Sequence, residues 1–226
     1  MLHCISVDNM RESDALTIAR FVPSLELMGR AARGVFSAVA WQGPVAIVCG
    51  SGNNGGDGFA LACLLWADNI PCAVFTLSDK RSADSAFYAH RAEAAGVPVA
   101  PFVPGCLQGF ATVVDCLLGT GFKGGLRDSY RTAIREINAS NAFTVSVDIN
   151  SGLDGDTGAC DLAVRSDLTV TVGFLKHGLL TENAGRYMKK LVCADIGIRL
   201  ARKERTVTEE TAPPWVDLTP ITITEA

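Results

Sequence analysis

Val45-Ala46-Ile47-Val48-Cys49 runs directly into Gly50-Ser51-Gly52-Asn53-Asn54-Gly55-Gly56-Asp57-Gly58, and an apolar stretch, Phe59–Ala67, follows. An unbroken apolar run of this length reads as a strand buried on both faces, and the stretch after it reads as a helix. Glycines at 50, 52 and 55 meet the G-x-G-x-x-G spacing in the strand–turn–helix setting that dinucleotide binding requires. In that setting backbone N–H groups approach a phosphate closely, and the helix dipole adds attraction. Asp57 resists the plain version, because a carboxylate near the helix start repels a pyrophosphate. Asn53, Asn54 and Asp57 also crowd three oxygen-bearing side chains into one turn, more than a phosphate cradle uses. A glycine-rich turn with Asn in left-handed geometry is the simpler alternative, although a turn alone does not call for this density of glycine.

The same alternation continues outward. Strands are expected at Val45–Cys49, Cys72–Leu77, Val97–Ala100, Val113–Leu117, Thr144–Asp148, Leu168–Val172 and Leu191–Asp195. Helices are expected at Phe59–Ala67, Ala83–Ala95 and Asp128–Ala139 between several of them. Apolar strands separated by helices imply a mainly parallel sheet covered on both faces. The expected architecture is therefore a three-layer α-β-α domain, a Rossmann-like doubly wound sheet preceded by N-terminal helices. Residues from Val7 to about Ala40 read as helical, with Pro23-Ser24 as break and N-cap. Leu25, Met28, Ala32, Val35, Phe36 and Val39 form an apolar stripe suited to core packing. Residues 1–205 read as one domain. From Thr206 to Ala226 the periodicity stops, and this stretch reads as a docked or loose tail, or the stub of a linker.

Composition narrows the function. The chain has 226 residues, 48% apolar and 19% charged, as in ordinary globular proteins. A net charge of -4 argues against a nucleic-acid face, which needs clustered cations. No apolar run approaches the ~20 residues that span a bilayer, and the first residues lack the pattern of a secretory signal. Of the eight cysteines, Cys49, Cys72 and Cys116 fall in strand candidates, which favours free thiols in a reducing compartment, the cytoplasm by default. Asn138-Ala139-Ser140 is a chance sequon on that reading. His3, His90 and His177 show no zinc-ligand spacing, and only His177 lies near the chemistry-bearing positions.

Three polar residues interrupt apolar context. Asp115 stands within Val113–Leu118, just before Gly119-Thr120-Gly121-Phe122-Lys123-Gly124-Gly125. Asp148 ends a strand and precedes Asn150-Ser151-Gly152-Leu153-Asp154, and Lys176 follows Val172-Gly173-Phe174-Leu175. Together with the glycine-rich junction they share one edge, the C-terminal ends of parallel strands, where open α/β sheets bind ligands. Each also has a plainer reading: Asp115 as a satisfied buried carboxylate, Asp148 as a turn cap, Lys176 as a solvated loop lysine. Asp154 and Asp156 read as turn residues.

With these segments assembled, the chain resembles the YjeF N-terminal domain family, the NAD(P)H-hydrate epimerases, from about Val7 to Arg199. The likeness is carried by Asn53–Gly58, Asp115–Gly125 and Asp148-x-x-Ser151-Gly152-Leu153-Asp154. Met10-Arg11 with Asp14, and Leu27-Met28-x-x-Ala31-Ala32, are similar to the family's N-terminal helices. The resemblance implies interconversion of the R and S epimers of NADHX and NADPHX, cofactors hydrated at C6 of the nicotinamide ring, as the companion of an NAD(P)H-hydrate dehydratase. It implies that Asn53, Asn54, Gly55, Gly56, Asp57, Gly119, Thr120, Gly121, Phe122, Lys123, Gly124, Gly125 and Asp148 contact the hydrate. It further implies that Asn54, Asp115 and Ser151 hold one potassium ion, and that the protein is a homodimer. Amide, carboxylate and hydroxyl oxygens suit such a hard cation.

Inversion at a carbinolamine carbon requires proton transfer to and from oxygen. Asp148 is the expected acid/base, with Lys176 as a second catalytic candidate. The sequence departs from the family at Asn150 and His177, where proline is usual, and the first change is expected to loosen the turn presenting Ser151. The fused dehydratase domain of many relatives is not expected within these 226 residues. Two readings compete. The same fold serves as a non-catalytic scaffold in messenger-RNA decapping proteins, but a scaffold has no use for a cation site. An NAD-dependent dehydrogenase needs an acidic residue ~20 positions past the fingerprint, and Asp79, twenty-nine after Gly50, fits poorly.

Overall fold

A computed structural model describes residues 1–223. The elements in chain order are β1 (Leu2–Ile5), α1 (Val7–Arg20), α2 (Ser24–Ala38), β2 (Val45–Cys49), α3 (Asn53–Ala67), β3 (Cys72–Thr76), α4 (Ala83–Ala94), β4 (Val99–Pro101) and β5 (Thr112–Cys116). They continue with α5 (Asp128–Ala139), β6 (Phe143–Val147), β7 (Ser166–Val172), β8 (Leu175–Lys176), a 3-10 turn (His177–Leu180), α6 (Glu182–Gly185), β9 (Met188–Asp195), β10 (Arg205–Val207) and β11 (Ile221–Thr222).

Eight strands form one sheet in the order β11-β9-β7-β6-β5-β2-β3-β4, every neighbouring pair parallel. The chain builds outward from β2 to β3 and β4, then returns to β2's other side with β5, β6, β7 and β9. That reversal leaves a crevice beyond the C-terminal ends of β2 and β5, where a doubly wound sheet binds ligands. The strands buried on both faces, such as β2 and β5, carry the apolar runs that identified them. On one face α2, α3 and α4 cover the largest core cluster, which includes Met28, Val35, Phe59, Leu61 and Ala89. On the other, α5 seals a cluster with Ile134 and Ile137, and the segment around β8 and α6 seals a third.

Several expectations are corrected. Helix α3 begins at Asn53, so Gly55, Gly56 and Gly58 lie inside a helix rather than a loop. Their lack of a side chain serves packing. A Cβ on Gly55 would overlap the carbonyl of Gly50, one on Gly56 would meet Met28 Sδ at 2.7 Å, and one on Gly58 would meet Cys49 Sγ at 2.6 Å. Ser24 is the first residue of α2 and not its cap; the preceding Pro23 occupies the cap position and offers no side-chain hydrogen bond. The fourth strand lies at 99–101, two residues later than expected.

The segment after residue 205 docks. Strand β10 pairs antiparallel with β1, which also pairs with β8 to make a small three-stranded sheet. Trp215 packs its ring on Gly185 and donates its indole N–H to the Leu179 carbonyl (3.2 Å), and β11 extends the main sheet beside β9. Neither the small sheet nor the β11 extension was legible in the sequence, because strands of two to four residues carry no measurable period. Among the described residues, no helix is long and apolar enough to cross a membrane.

Candidate active site

A cavity of about 700 Å³ opens at the crevice between β2 and β5. The start of α3 contributes Asn53, Asn54 and Asp57; the segment after β5 contributes Gly119, Thr120, Gly121, Phe122, Lys123 and Gly125; β6 delivers Asp148. Gly55, Gly56 and Gly124, expected to touch a ligand, do not line it. The first two are buried in helix packing, and Gly124 occupies a turn at φ 90° that faces away.

Asp148 is the focus. Its φ is 68°, a left-handed conformation that is uncommon for a residue other than glycine and recurrent at functional positions. The turn it makes swings the side chain off the strand direction and over the sheet edge. One carboxylate oxygen lies 2.5 Å from Lys176 Nζ, and the other accepts from the Thr120 N–H at 3.4 Å. Asp148 keeps 17% side-chain exposure toward the cavity, whereas Lys176 has 0%. The ammonium spends its three protons on Asp148, Thr171 Oγ1 (2.9 Å) and the Val172 carbonyl (2.8 Å). Lys176 is therefore not a solvated loop lysine. It sits behind Asp148 and fixes the carboxylate's position.

Asp115 is fully buried in β5 and both its oxygens are engaged. Oδ1 accepts from Ser151 Oγ (2.5 Å) and Leu117 N (3.2 Å), and Oδ2 accepts from Ser146 Oγ and Ser151 N (2.9 Å each). Burial pushes its pKa up, and these hydrogen bonds hold the rise back. Leu118 joins the expected ion ligands: its carbonyl accepts from Asn54 Nδ2, and its N–H donates to Ser151 Oγ, both at 2.9 Å. Asn54, Asp115 and Ser151 thus lie in one network. Within it Asn54 Oδ1 is buried with no hydrogen-bond partner among the described residues. An orphaned buried carbonyl oxygen is costly unless something electropositive meets it, so the donor chemistry fits a cation at that atom. Asp115 would have to share oxygens already taken by Ser151.

The two departures at proline positions act differently from expectation. Asn150 does not loosen the turn. Its amide, fully buried, donates to Val164 O, Ser166 Oγ and Tyr187 O at 2.9–3.0 Å and accepts from Thr169 Oγ1 at 2.7 Å, which pins it. His177 turns away from the cavity and lies 3.0 Å from Glu204. Asp154 is the turn residue expected, accepting from the N–H groups of Asp156 and Thr157.

Helix α1 supplies the part the sequence did not place. Its buried stripe is polar: Asn9, Ser13 and Thr17, spaced four apart, meet the extended segment after β9. Thr17 Oγ1 accepts from Arg199 N (2.8 Å), Ser13 Oγ from Ala201 N (3.0 Å) and Asn9 Oδ1 from Arg202 N (3.2 Å). This ladder fixes the helix's rotation, so the adjoining stripe, Met10, Asp14 and Ile18, faces the cavity. Asp14 and Asp57 show no hydrogen bond from any described residue. Burial above all, with the Asp148 charge adding to it and the Lys176 ammonium offsetting part, raises the Asp14 pKa to about 6 and that of Asp57 well above the usual range. The signal available in the sequence was the i, i+4 spacing of polar residues in a helix lacking an apolar stripe.

Comparison with known proteins agrees with this geometry. The chain matches the family described as YjeF-related protein N-terminus over residues 24–178. It is 37% identical to the NAD(P)H-hydrate epimerase of Limosilactobacillus fermentum, covering 84% of this chain and 95% of that one. It is 34% identical to the NAD(P)H-hydrate epimerase of Rhodopirellula baltica, over 87% and 85%. A bifunctional NAD(P)H-hydrate repair enzyme from Coxiella burnetii is 30% identical over 94% of this chain, which spans 45% of that longer protein. The solved structure of yeast ynu0 superimposes with a TM-score of 0.71 at 20% identity, over 93% of this chain and 98% of that one, a shared fold.

Proposed function

The chain belongs to the family of YjeF-related protein N-termini, and on that premise we propose that it is an NAD(P)H-hydrate epimerase, an isomerase that inverts C6 of the hydrated nicotinamide ring in NADHX and NADPHX. The observation that carries this reading is Asp148. It is held in a left-handed turn at the switch-point crevice, ion-paired from behind by Lys176 and open to the cavity in front. An ionised carboxylate so fixed is suited to remove a proton from a hydroxyl or from an attacking water.

At C6 the hydroxyl and the ring nitrogen share one carbon. Inversion proceeds by loss of the hydroxyl and re-addition from the other face, or by opening to an aldehyde and reclosing. Both routes need a base at oxygen and an acid to complement it. Asp148 serves as the base, and Lys176 keeps it aimed. The carboxylates of Asp14, Asp57 and Asp148, which come from three different elements, disfavour a pyrophosphate beside them, so the hydrated ring belongs here. The phosphates belong toward Lys123 and Arg127 on the opposite rim. Asn54 would hold a potassium ion through its free oxygen, with Asp115 and Ser151 beside it. Such an ion supplies positive charge that offsets the surrounding carboxylates.

The bifunctional relatives support a dehydratase as the functional companion. The exposed Phe21, just after α1, supports a homodimer through the N-terminal helices. A hydride-transfer enzyme finds no support, since Asp79 does not line the cavity. The test is direct. Purified protein is added to a mixture of R- and S-NADHX from which a dehydratase removes the S epimer, and R-epimer loss is followed by absorbance. Loss faster than the spontaneous rate, abolished in Asp148→Asn, supports the reading. A rate equal to the spontaneous one identifies a scaffold instead.

A further inference from the structure

Inverting one carbon calls for proton transfer on both sides of the ring, and Asp148 occupies a single wall of the cavity. The groups able to serve elsewhere are few. The charged and titratable side chains facing the cavity are Arg11 and Asp14 from α1, Asp57 from α3, Asp84 from α4, Lys123 and Arg127 after β5, and Tyr130 from α5; Lys176 stands behind Asp148. Arginine and lysine on the rim are suited to phosphate rather than to proton exchange. Asp14 differs from the others in how it is presented. It lies on the stripe that the Asn9–Ser13–Thr17 ladder turns inward, and no described residue donates to its carboxyl. Asn54, whose buried Oδ1 has no partner among the described residues, lines the same cavity, a second sign that this site is shaped for a ligand.

We propose that Asp14 is a second catalytic residue of this site, the acid that serves C6 from α1 while Asp148 serves it from the end of β6. The proposal rests on the epimerase reading. In the hydroxyl-loss route Asp14 gives its proton to the C6 hydroxyl. The C–O bond breaks with its electron pair going to the departing water, and the ring-nitrogen lone pair forms the C6=N bond. Water then adds to the other face: its oxygen forms the new C–O bond, the C6=N π pair returns to the ring nitrogen, and Asp148 takes the proton that the water gives up. Exchange with solvent returns a proton to Asp14 and removes one from Asp148. Burial and the nearby Asp148 charge place the Asp14 pKa at about 6, which lets it hold and release a proton close to neutrality.

The experiment measures epimerisation of NADHX by wild type, Asp14→Asn and Asp14→Glu across pH 5–9. For the wild type, kcat/KM should fall as pH rises through about 6, as the acid ionises. Asp14→Asn should lose kcat by roughly 100-fold or more, with KM little changed and that pH dependence gone. Asp14→Glu should regain part of kcat together with the descending limb. Because Asp14 accepts no hydrogen bond from the protein, Asp14→Asn should unfold no earlier than wild type, which a thermal melt checks. Asp14→Asn with wild-type kcat, or with a raised KM alone, overturns the proposal while leaving the epimerase reading intact. If wild type itself does not interconvert the epimers, the functional reading falls, and this proposal with it.

Discussion

Removing the charge of Asp148 while keeping its shape isolates the value of its pairing with Lys176. Asn tolerates a φ of 68° as well as Asp does, so Asp148→Asn leaves the backbone unstrained and retains an oxygen within reach of Nζ. What it removes is the counter-charge of an ammonium with 0% exposure. Stranding one member of a buried pair costs about 3–5 kcal/mol. Asp148 keeps 17% exposure, and Thr171 and Val172 still accept, so the lower end applies, about 3 kcal/mol. For a domain with ~5–15 kcal/mol of stability the variant stays folded. With a urea m-value of ~2 kcal/mol/M, its denaturation midpoint should fall by ~1.5 M at pH 7, with m unchanged. Lys176→Met alone should cost less, since the carboxylate it frees faces cavity water. The double variant should recover to within ~1 kcal/mol of wild type, because an apolar chain of matching length replaces a buried pair at little net loss. Each of the three should be inactive, which separates stability from catalysis. Strictly additive single effects, with a coupling below ~0.5 kcal/mol, would show that the pair is not a unit and would refute this account of how Asp148 is held.

Three further outcomes are expected. Thr17→Val keeps the side-chain volume but takes away the acceptor of the part-buried Arg199 N–H, and should cost ~1 kcal/mol in chemical denaturation. Potassium should raise the melting temperature of wild type and not of Asn54→Ala. At ten times its Kd a single bound ion adds about 1.4 kcal/mol, and lithium in its place serves as control. Asp14 gives a stability change with a defined sign. Its folded pKa of about 6 lies above the ordinary carboxylate value of 3.8, so the fold penalises the ionised form. The penalty is absent below pH 4, grows as pH rises through 6 and is complete above it. At ~1.4 kcal/mol per unit the ceiling is about 3 kcal/mol, less in a side chain that water reaches from the cavity. Asp14→Asn should therefore match wild type at pH 4 and exceed it in urea midpoint at pH 7.

Much of this protein is written locally. The runs Val45–Cys49 and Thr112–Cys116 must be strands buried on both faces, because five successive apolar or buried positions suit no half-exposed element. Their alternation with Ala83–Ala94 and Asp128–Ala139 leaves a parallel sheet as the compatible architecture. Parallel strands then bring all their C-terminal ends to one edge, so Asp115, Asp148 and the Asn53–Asp57 segment are neighbours before any coordinate is known.

What local reading does not contain is which way a side chain points once two distant segments meet. Lys176 reads as a candidate in the sequence and becomes the support behind Asp148 only because β8 pairs with β1 and turns its side chain inward. Asn150 looks like a weakened turn until Tyr187, thirty-seven residues on, supplies its acceptor. The glycines at 55, 56 and 58 suggest a phosphate loop, yet they are held by Gly50, Met28 and Cys49, contacts set by how α3 lies against β2 and α2. Asp14 enters the site through a polar ladder to residues almost two hundred positions away. Periodicity records which face of an element is buried; only the packing of non-local partners decides what that face is buried against.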